Sequence, residues 1–352
     1  MLSLNVIKIF LPTTLAFLLG IAITPTLTSY MYKYRLWRKK KRADDGEITN
    51  QHFAAINDGV AEISTPRVGG IIIWLSSILC IVVIWIISRI VPSELTAKLD
   101  FYSRSQTLVP LAALLIGAII GLIDDAAQIR GVEEKISRRY VKILIVIALG
   151  FFIGAWFYWK LGMTAIAVPF LSTPLVLGVL FIPFFITVLL AVFSTSVIDG
   201  MDGLAGGVFA IIFAAYSIIA FGQQQVDIAA LSGTIAGSIL AFLWFNIPPA
   251  RFYMGETGIL GLTVVLTVIA FLTNTVLILP LIALPLVATT LSNIIQITSY
   301  KYCGKRRVFK IAPLHHHFHA LGWSKEKVVM RYWIVSVVCA LVGVVIALSS
   351  AI

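Results

Sequence analysis

The sequence predicts an all-α integral membrane protein with about ten transmembrane helices and both termini outside, organised as one polytopic membrane domain over residues 1–352. Three observations carry that expectation. Hydrophobic residues make up 59% of the chain and charged residues only 12%, with a mean hydropathy of +0.99, whereas a soluble domain carries about twice that charge. The apolar runs are continuous over about 17–25 residues, the length that spans a bilayer as helix, and do not alternate over about ten as barrel strands do. The cations are also bunched. Of the 27 Lys+Arg residues, all but Lys8, Arg89, Lys98, Arg104 and Lys160 fall in segments 30–67, 124–142, 251 and 301–331. Those segments follow spans one, three, seven and nine, so the odd loops read as cytoplasmic.

The spans read as 6–30, 68–91, 107–123, 140–159, 175–194, 204–222, 228–246, 258–274, 277–299 and 331–351. The first lacks a small-residue cleavage site and precedes a basic segment, so it reads as a retained helix. The longest polar stretches are 32–67 and 301–330. The net charge of +11 follows from the loop bias and suits anionic headgroups. It does not point to nucleic acid, and Arg38-Lys39-Lys40-Lys41-Arg42 reads as a juxtamembrane anchor. Cys80, Cys303 and Cys339 have neither metal spacing nor a paired pattern.

The few acids and histidines are placed selectively. Asp124-Asp125, Asp199-Gly-Met-Asp202, Glu256 and His315-His316-His317 each follow an odd-numbered span, and alternating spans would bring all four clusters to one membrane face. Adjacent carboxylates at a membrane boundary are costly unless hydrated, paired or metal-bound; alone, the pair also reads as a polar helix end. Asp199 and Asp202 lie in a Gly-rich turn whose backbone can approach a ligand closely. In Asn246-Ile-Pro-Pro-Ala-Arg251-Phe-Tyr253-Met-Gly-Glu256, the prolines stop the helix. Arg251 offers a planar fork for phosphate, Tyr253 a ring to stack on a base, and Glu256 a hard oxygen for Mg²⁺. Three consecutive histidines diverge and cannot share one metal, which favours donors to a phosphate over a zinc site. Carboxylates for a metal and cations for phosphate together favour metal-assisted phosphoryl transfer between a soluble donor and a lipid acceptor. Ionisable residues at span ends, away from mid-bilayer, argue against a transporter.

The ordered set Pro66-Arg67-x-Gly69-Gly70, Asp124-Asp125, Asp199-Gly-x-Asp202-Gly-Leu-Ala, Asn246-x-x-Pro-Ala-Arg251, Met254-Gly255-Glu256-x-Gly258 and the His triplet resembles the polyprenyl-phosphate N-acetylhexosamine-1-phosphate transferases. Pro313-Leu-His-His-His-Phe318, Gly322-Trp323 and Val328-Val-x-Arg331-Tyr-Trp resemble the muramoyl-pentapeptide branch of that family. Pro66-Arg67-Val68-Gly69-Gly70 is closer to its GlcNAc-1-phosphate branch.

The resemblance implies Mg²⁺-dependent transfer of phospho-N-acetylmuramoyl-pentapeptide from its UDP donor to undecaprenyl phosphate, giving lipid I and UMP. The site would lie at the cytoplasmic face of the inner (plasma) membrane, in a chain that pairs as a homodimer. It implies Asp124, Asp125, Asp199 and Glu256 as catalytic residues, with Glu256, Asp124 and Asp125 as the metal set. Asn246, Arg251, Tyr253, Asp202, His315, His316 and His317 would bind the UDP-linked amino sugar. The chain also departs from the family. Glu256 stands where the family has Asp, Phe193 and Ser196 where it has Asn, and Glu62 where it has Lys. Gln128 replaces a Lys of the muramoyl branch and Ile259 a Ser. The alternatives are therefore a UDP-GlcNAc transferase and a catalytically degenerate assembly partner.

Overall fold

Within a bilayer a backbone must satisfy its own hydrogen bonds, and each long apolar run does so as a helix. The computed structural model describes residues 2–38, 63–100, 105–131 and 136–350. Glu62 and Lys39 to Arg42 of the basic run lie outside the described residues. The helices are α1 (Leu2–Lys33), α2 (Ile71–Ile90), α3 (Glu94–Leu99), α4 (Ser105–Ile129), α5 (Ile136–Lys160), α6 (Phe181–Ser194), α7 (Leu204–Gly222), α8 (Val226–Asn246), α9 (Gly255–Leu272), α10 (Leu279–Ile282), α11 (Leu284–Tyr302), α12 (Leu314–Ala320) and α13 (Lys325–Ser349). Short 3₁₀ turns, Gly178–Leu180 and Thr195–Ile198, extend α6 at both ends. Among the described residues nine helices are long and apolar enough to cross a membrane, and the chain is a multi-pass membrane protein. Helices α7, α8 and α9 are almost wholly buried and form the centre; the others turn one apolar side outward to lipid.

Several expected boundaries move. The run at 277–299 is not one continuous helix: Pro285 has no N–H to give the preceding turn, and the helix breaks at Ala283 into α10 and α11. The remainder carries Ser292, Asn293, Gln296 and Ser299, and it falls outside the nine apolar helices. Helix α4 runs on to Ile129, which places Asp124 and Asp125 inside a helix and not beyond its end. Helix α9 begins at Gly255, so Glu256 sits in its first turn. Residues 175–176 form no helix; they pair antiparallel with Ala165–Ile166 as a two-residue hairpin rung that Asn274 supports by accepting from Ala167 N–H at 3.0 Å. Helix α13 starts early, at Lys325, because Ser324 caps it by accepting the Lys327 N–H.

The contact that positions the site is the crossing of α4 on α9. Gly117 and Gly121, one turn apart on α4, let the two backbones touch: a methyl on Gly117 would stand 2.8 Å from the Leu260 carbonyl oxygen, and one on Gly121 would overlap the Glu256 carbonyl. Thr257 Oγ1 donates to the Ala118 carbonyl at 3.0 Å across this seam. Helix α1 packs against α8 in the same way, with Thr13 against Gly233 and Gly237, and Lys8 of α1 pairs with Asp227 of α8. Gly121→Val is expected to push α4 from α9 and to lower thermal stability in detergent by about 1–3 kcal/mol. An unchanged unfolding midpoint would contradict so close a crossing.

Candidate active site

The tight crossing brings the carboxyl-bearing turn of α4 against the first turn of α9. Helix N-termini leave N–H groups without intrahelical partners, and here Asp125 supplies them. Its two oxygens accept from Glu256 N–H at 3.1 Å and Thr257 N–H at 2.9 Å, and its side chain is completely buried. Asp125 is therefore the cap of α9, contributed by another helix. Gly255 just before these donors has φ +69°, and any side chain there would strike the Arg67 carbonyl.

Asp124, one position earlier, faces the other way, into a narrow cleft lined also by Gly121, Lys142, Phe193, Glu256 and Leu260. Lys142 Nζ of α5 lies 2.7 Å from Asp124 Oδ2 and 3.2 Å from Glu256 Oε1, so one cation is shared by two acids from different helices. A second connection reaches Asp124 from the N-terminal segment: Arg38 donates to Gln128 Oε1 at 3.1 Å, and Gln128 Nε2 donates to Asp124 Oδ2 at 2.8 Å.

A short backbone ladder joins the remaining pieces. Tyr253 N–H donates to Pro66 O, Gly69 N–H to Tyr253 O and Gly70 N–H to Met254 O, at 2.8, 2.9 and 2.9 Å. Asp199 Oδ2 accepts from Gly255 N–H at 3.3 Å, and Asp202 Oδ2 from Ala250 N–H at 3.1 Å. Burial raises the Asp202 carboxyl pKa above its usual value. Burial also raises the Tyr253 phenol, reinforced by Asp202, with a hydrogen bond to Thr65 acting the other way. Asn246 is buried and uses both ends of its amide within the chain, accepting from Gly203 N–H at 2.9 Å and donating to Phe252 O at 2.8 Å.

The histidines diverge, as their spacing requires. His315 and His316 turn inward beneath the Asp199–Asp202 turn, with rings 4.3 Å apart and His315 Nε2 close against Gly200. Neither ring nitrogen of His315 has a hydrogen-bond partner among the described residues, and burial, then the neighbouring His316, hold its pKa well below the usual 6.5. His317 points outward, where its Nδ1 accepts from Lys310 N–H at 3.2 Å. Trp333 of α13 ties this corner to the turn by donating to Gly203 O at 3.2 Å.

The structure thus gathers Asp124, Asp125, Asp199, Asp202, Tyr253, Glu256 and His315 on one end of the helix bundle. The geometry also separates the roles within this set. Asp125 is engaged by backbone N–H groups and does not line the cleft, which leaves Asp124 and Glu256 as the two acids there. Among the described residues no group of three His, Cys, Asp or Glu side chains stands ready to hold a metal. Asn246 positions the turn through one bond at each end of its amide. Arg251 is exposed, with its guanidinium 5.4 Å from the Phe245 ring centre. Arg38 is buried at the site and is not part of a surface anchor. The sequence reading also passed over Lys142 and the Gly117-x-x-x-Gly121 spacing. The signal for Lys142 in the sequence is a lysine just inside a span, with acids on neighbouring span ends.

Asp124 and Glu256 present hard oxygen donors to one shared cationic atom, which is the donor chemistry of a divalent metal. The family model described as glycosyl transferase family 4 matches residues 107–274, the segment from α4 to the end of α9 that contains every acid of the site. Over 340 residues the chain is 33% identical to the phospho-N-acetylmuramoyl-pentapeptide-transferase of Thermoanaerobacter sp. (strain X514), covering 94% of this chain and 96% of that relative. The chain belongs to the phospho-N-acetylmuramoyl-pentapeptide-transferase family. Relatives of the same name from Anoxybacillus flavithermus (strain DSM 21510 / WK1) and Clostridioides difficile (strain 630) are 31% and 29% identical, covering 94% and 98% of the chain and 95% and 99% of their own lengths. Membership in this transferase family accords with a divalent metal, a UDP-linked substrate and a lipid carrier.

Two outcomes separate capping from chemistry. Asp125→Asn has only one acceptor oxygen for two N–H groups, so it should lose about 1–3 kcal/mol of stability as well as turnover. Glu256→Gln should lose turnover with its unfolding midpoint intact. Parallel thermal melts and product assays decide this, and a stable Asp125→Asn would contradict the cap. The His315 ring adds a pH effect. An unfolded chain takes up a proton near the usual 6.5 that the buried ring refuses, so this stability is present above that pH and declines below it by up to about 1.4 kcal/mol per pH unit. His315→Gln should flatten the fall in unfolding midpoint between about pH 7 and about pH 5.5.

Proposed function

We propose that the protein transfers phospho-N-acetylmuramoyl-pentapeptide from its UDP donor to undecaprenyl phosphate, forming lipid I and releasing UMP, at the cytoplasmic face of the inner membrane. The observation that carries this reading is the convergence of Asp124 and Glu256 on a single cation, in a cleft whose opposite wall is apolar. An oxygen of the lipid phosphate attacks the β-phosphorus of the donor, and the bond from that phosphorus to the bridging oxygen breaks, leaving with UMP. Both reactants are anions, so bringing them together is mainly a problem of charge. Mg²⁺ held by Asp124 and Glu256 would neutralise the donor's phosphates.

The other roles belong to the chain itself. Asp125 fixes the first turn of α9 and hence the direction of Glu256. Gln128 holds Asp124 to one rotamer. Lys142 supplies positive charge at the point where the phosphates meet. Asp199, Asp202 and Tyr253 form the nucleotide side, with the Tyr253 ring as the stacking surface for uracil. His315 and His316 lie beneath the same turn, and Arg251 and His317 stand at its outer rim, where donor groups extend. Ile120, Val146, Phe193 and Leu260 make the apolar wall, suited to the first carbons of a prenyl chain.

The Pro66–Gly70 segment, which resembles the GlcNAc-1-phosphate branch, supports UDP-GlcNAc as a second donor to test. Membranes containing the protein should convert radiolabelled UDP-MurNAc-pentapeptide to a lipid-linked product with Mg²⁺, and lose the product with chelator. Turnover of UDP-GlcNAc alone would replace the donor. Failure of every UDP-amino-sugar by demonstrably folded protein would make the chain an assembly partner.

A further inference from the structure

Lys142 occupies an unusual position for an active-site cation. Its ammonium touches the same two carboxylate oxygens that would hold a metal, Asp124 Oδ2 at 2.7 Å and Glu256 Oε1 at 3.2 Å. All three side chains are largely withdrawn from solvent, at 18%, 12% and 24% exposure, so the pairing is not diluted by water as a surface ion pair would be. The carboxylates cannot move apart to admit a second cation. Asp124 stands on α4 and Glu256 on α9, and those helices are clamped by Gly121 against the Glu256 backbone and by Asp125 on the α9 N-terminus. The cleft between them is narrow. A divalent ion and an ammonium repel and would compete for the same oxygens.

The mobile partner is the lysine. It reaches in from α5 on a flexible four-carbon stem, whereas Asp124 keeps its bond from Gln128 and Glu256 keeps its capped backbone whether or not the ammonium is there. We propose that Lys142 is a built-in counter-cation that a divalent metal must displace, so that this residue sets metal affinity and turns to the substrate phosphates only once displaced. This rests on the reading that Asp124 and Glu256 hold the metal. Without metal, the lysine gives both carboxylates a partner at a membrane boundary, where unpaired acids are costly. With metal, the ion and the displaced ammonium together oppose the charge of the anionic donor.

The test is Mn²⁺ binding to the detergent-solubilised full chain, read from the free Mn²⁺ signal in electron paramagnetic resonance, with no turnover involved. Lys142→Met should bind Mn²⁺ about tenfold or more tightly than the wild type. Equal or weaker binding by folded Lys142→Met, with binding abolished in Glu256→Gln, would overturn this inference and keep the metal site. Undiminished binding in Glu256→Gln would overturn the site assignment and the inference with it. A measurement on the unaltered chain covers the case of a poorly folded variant: acetylation of Lys142, followed by mass spectrometry of its peptide, should speed up when Mn²⁺ is added relative to exposed lysines such as Lys305. No change in that ratio would also overturn the proposal.

Discussion

One carboxylate closes the active end of this molecule. Asp125, buried in α4, accepts the two N–H groups with which α9 begins, and in doing so it fixes the only acid on α9 within reach of Asp124. A buried carboxylate is tolerated when charge-assisted hydrogen bonds replace its water, and the positive end of a helix is a suitable partner. The arrangement also requires the helices to approach more closely than ordinary side chains permit. The glycines one and two turns earlier on α4 provide that approach, and the cap and the close crossing are parts of the same device.

Around this fixed pair the charges are organised in layers. Lys142 bridges Asp124 and Glu256 from one side, and Arg38 acts on Asp124 from the other through the Gln128 amide. The substitution of Gln for the lysine of the muramoyl branch at position 128 is thereby given a local account: a neutral relay stands at this position, and a guanidinium stands behind it. Phe193, where the family resemblance leads one to expect Asn, lies on the apolar wall of the same cleft. The nucleotide side is built differently. There the polar side chains of Asp199, Asp202 and Asn246 accept from backbone N–H groups, which shapes a turn.

Much of this was legible in the sequence. The uninterrupted apolar runs and their basic flanks announced a bundle of spanning helices, and the placement of the acids after odd-numbered runs announced a shared face. Where the reading fell short, a local interaction outweighed periodicity. Hydropathy carried the ninth run through Pro285, although the missing N–H breaks it there. Charge ended the third span at Asp124, although the α9 N-terminus satisfies Asp125 and lets the helix continue. The division of labour between Asp124 and Asp125 was not legible, because adjacent helical residues point in directions that only a neighbouring helix can distinguish. Lys142 and Arg38 were hidden by their number: in a chain with so many basic loop residues, composition does not reveal which ones turn inward.

The account stands on Asp124 and Glu256 forming one cation site between α4 and α9. Crystals of the full chain grown with Mn²⁺ and the UDP donor, with diffraction collected at the manganese edge, test this most directly. The account predicts an anomalous peak within coordinating distance of both carboxylates, with the Lys142 ammonium turned away towards the donor phosphates. A peak on Asp199 and Asp202 instead, or a Lys142 ammonium still seated between Asp124 and Glu256 in the metal-bound protein, would contradict it.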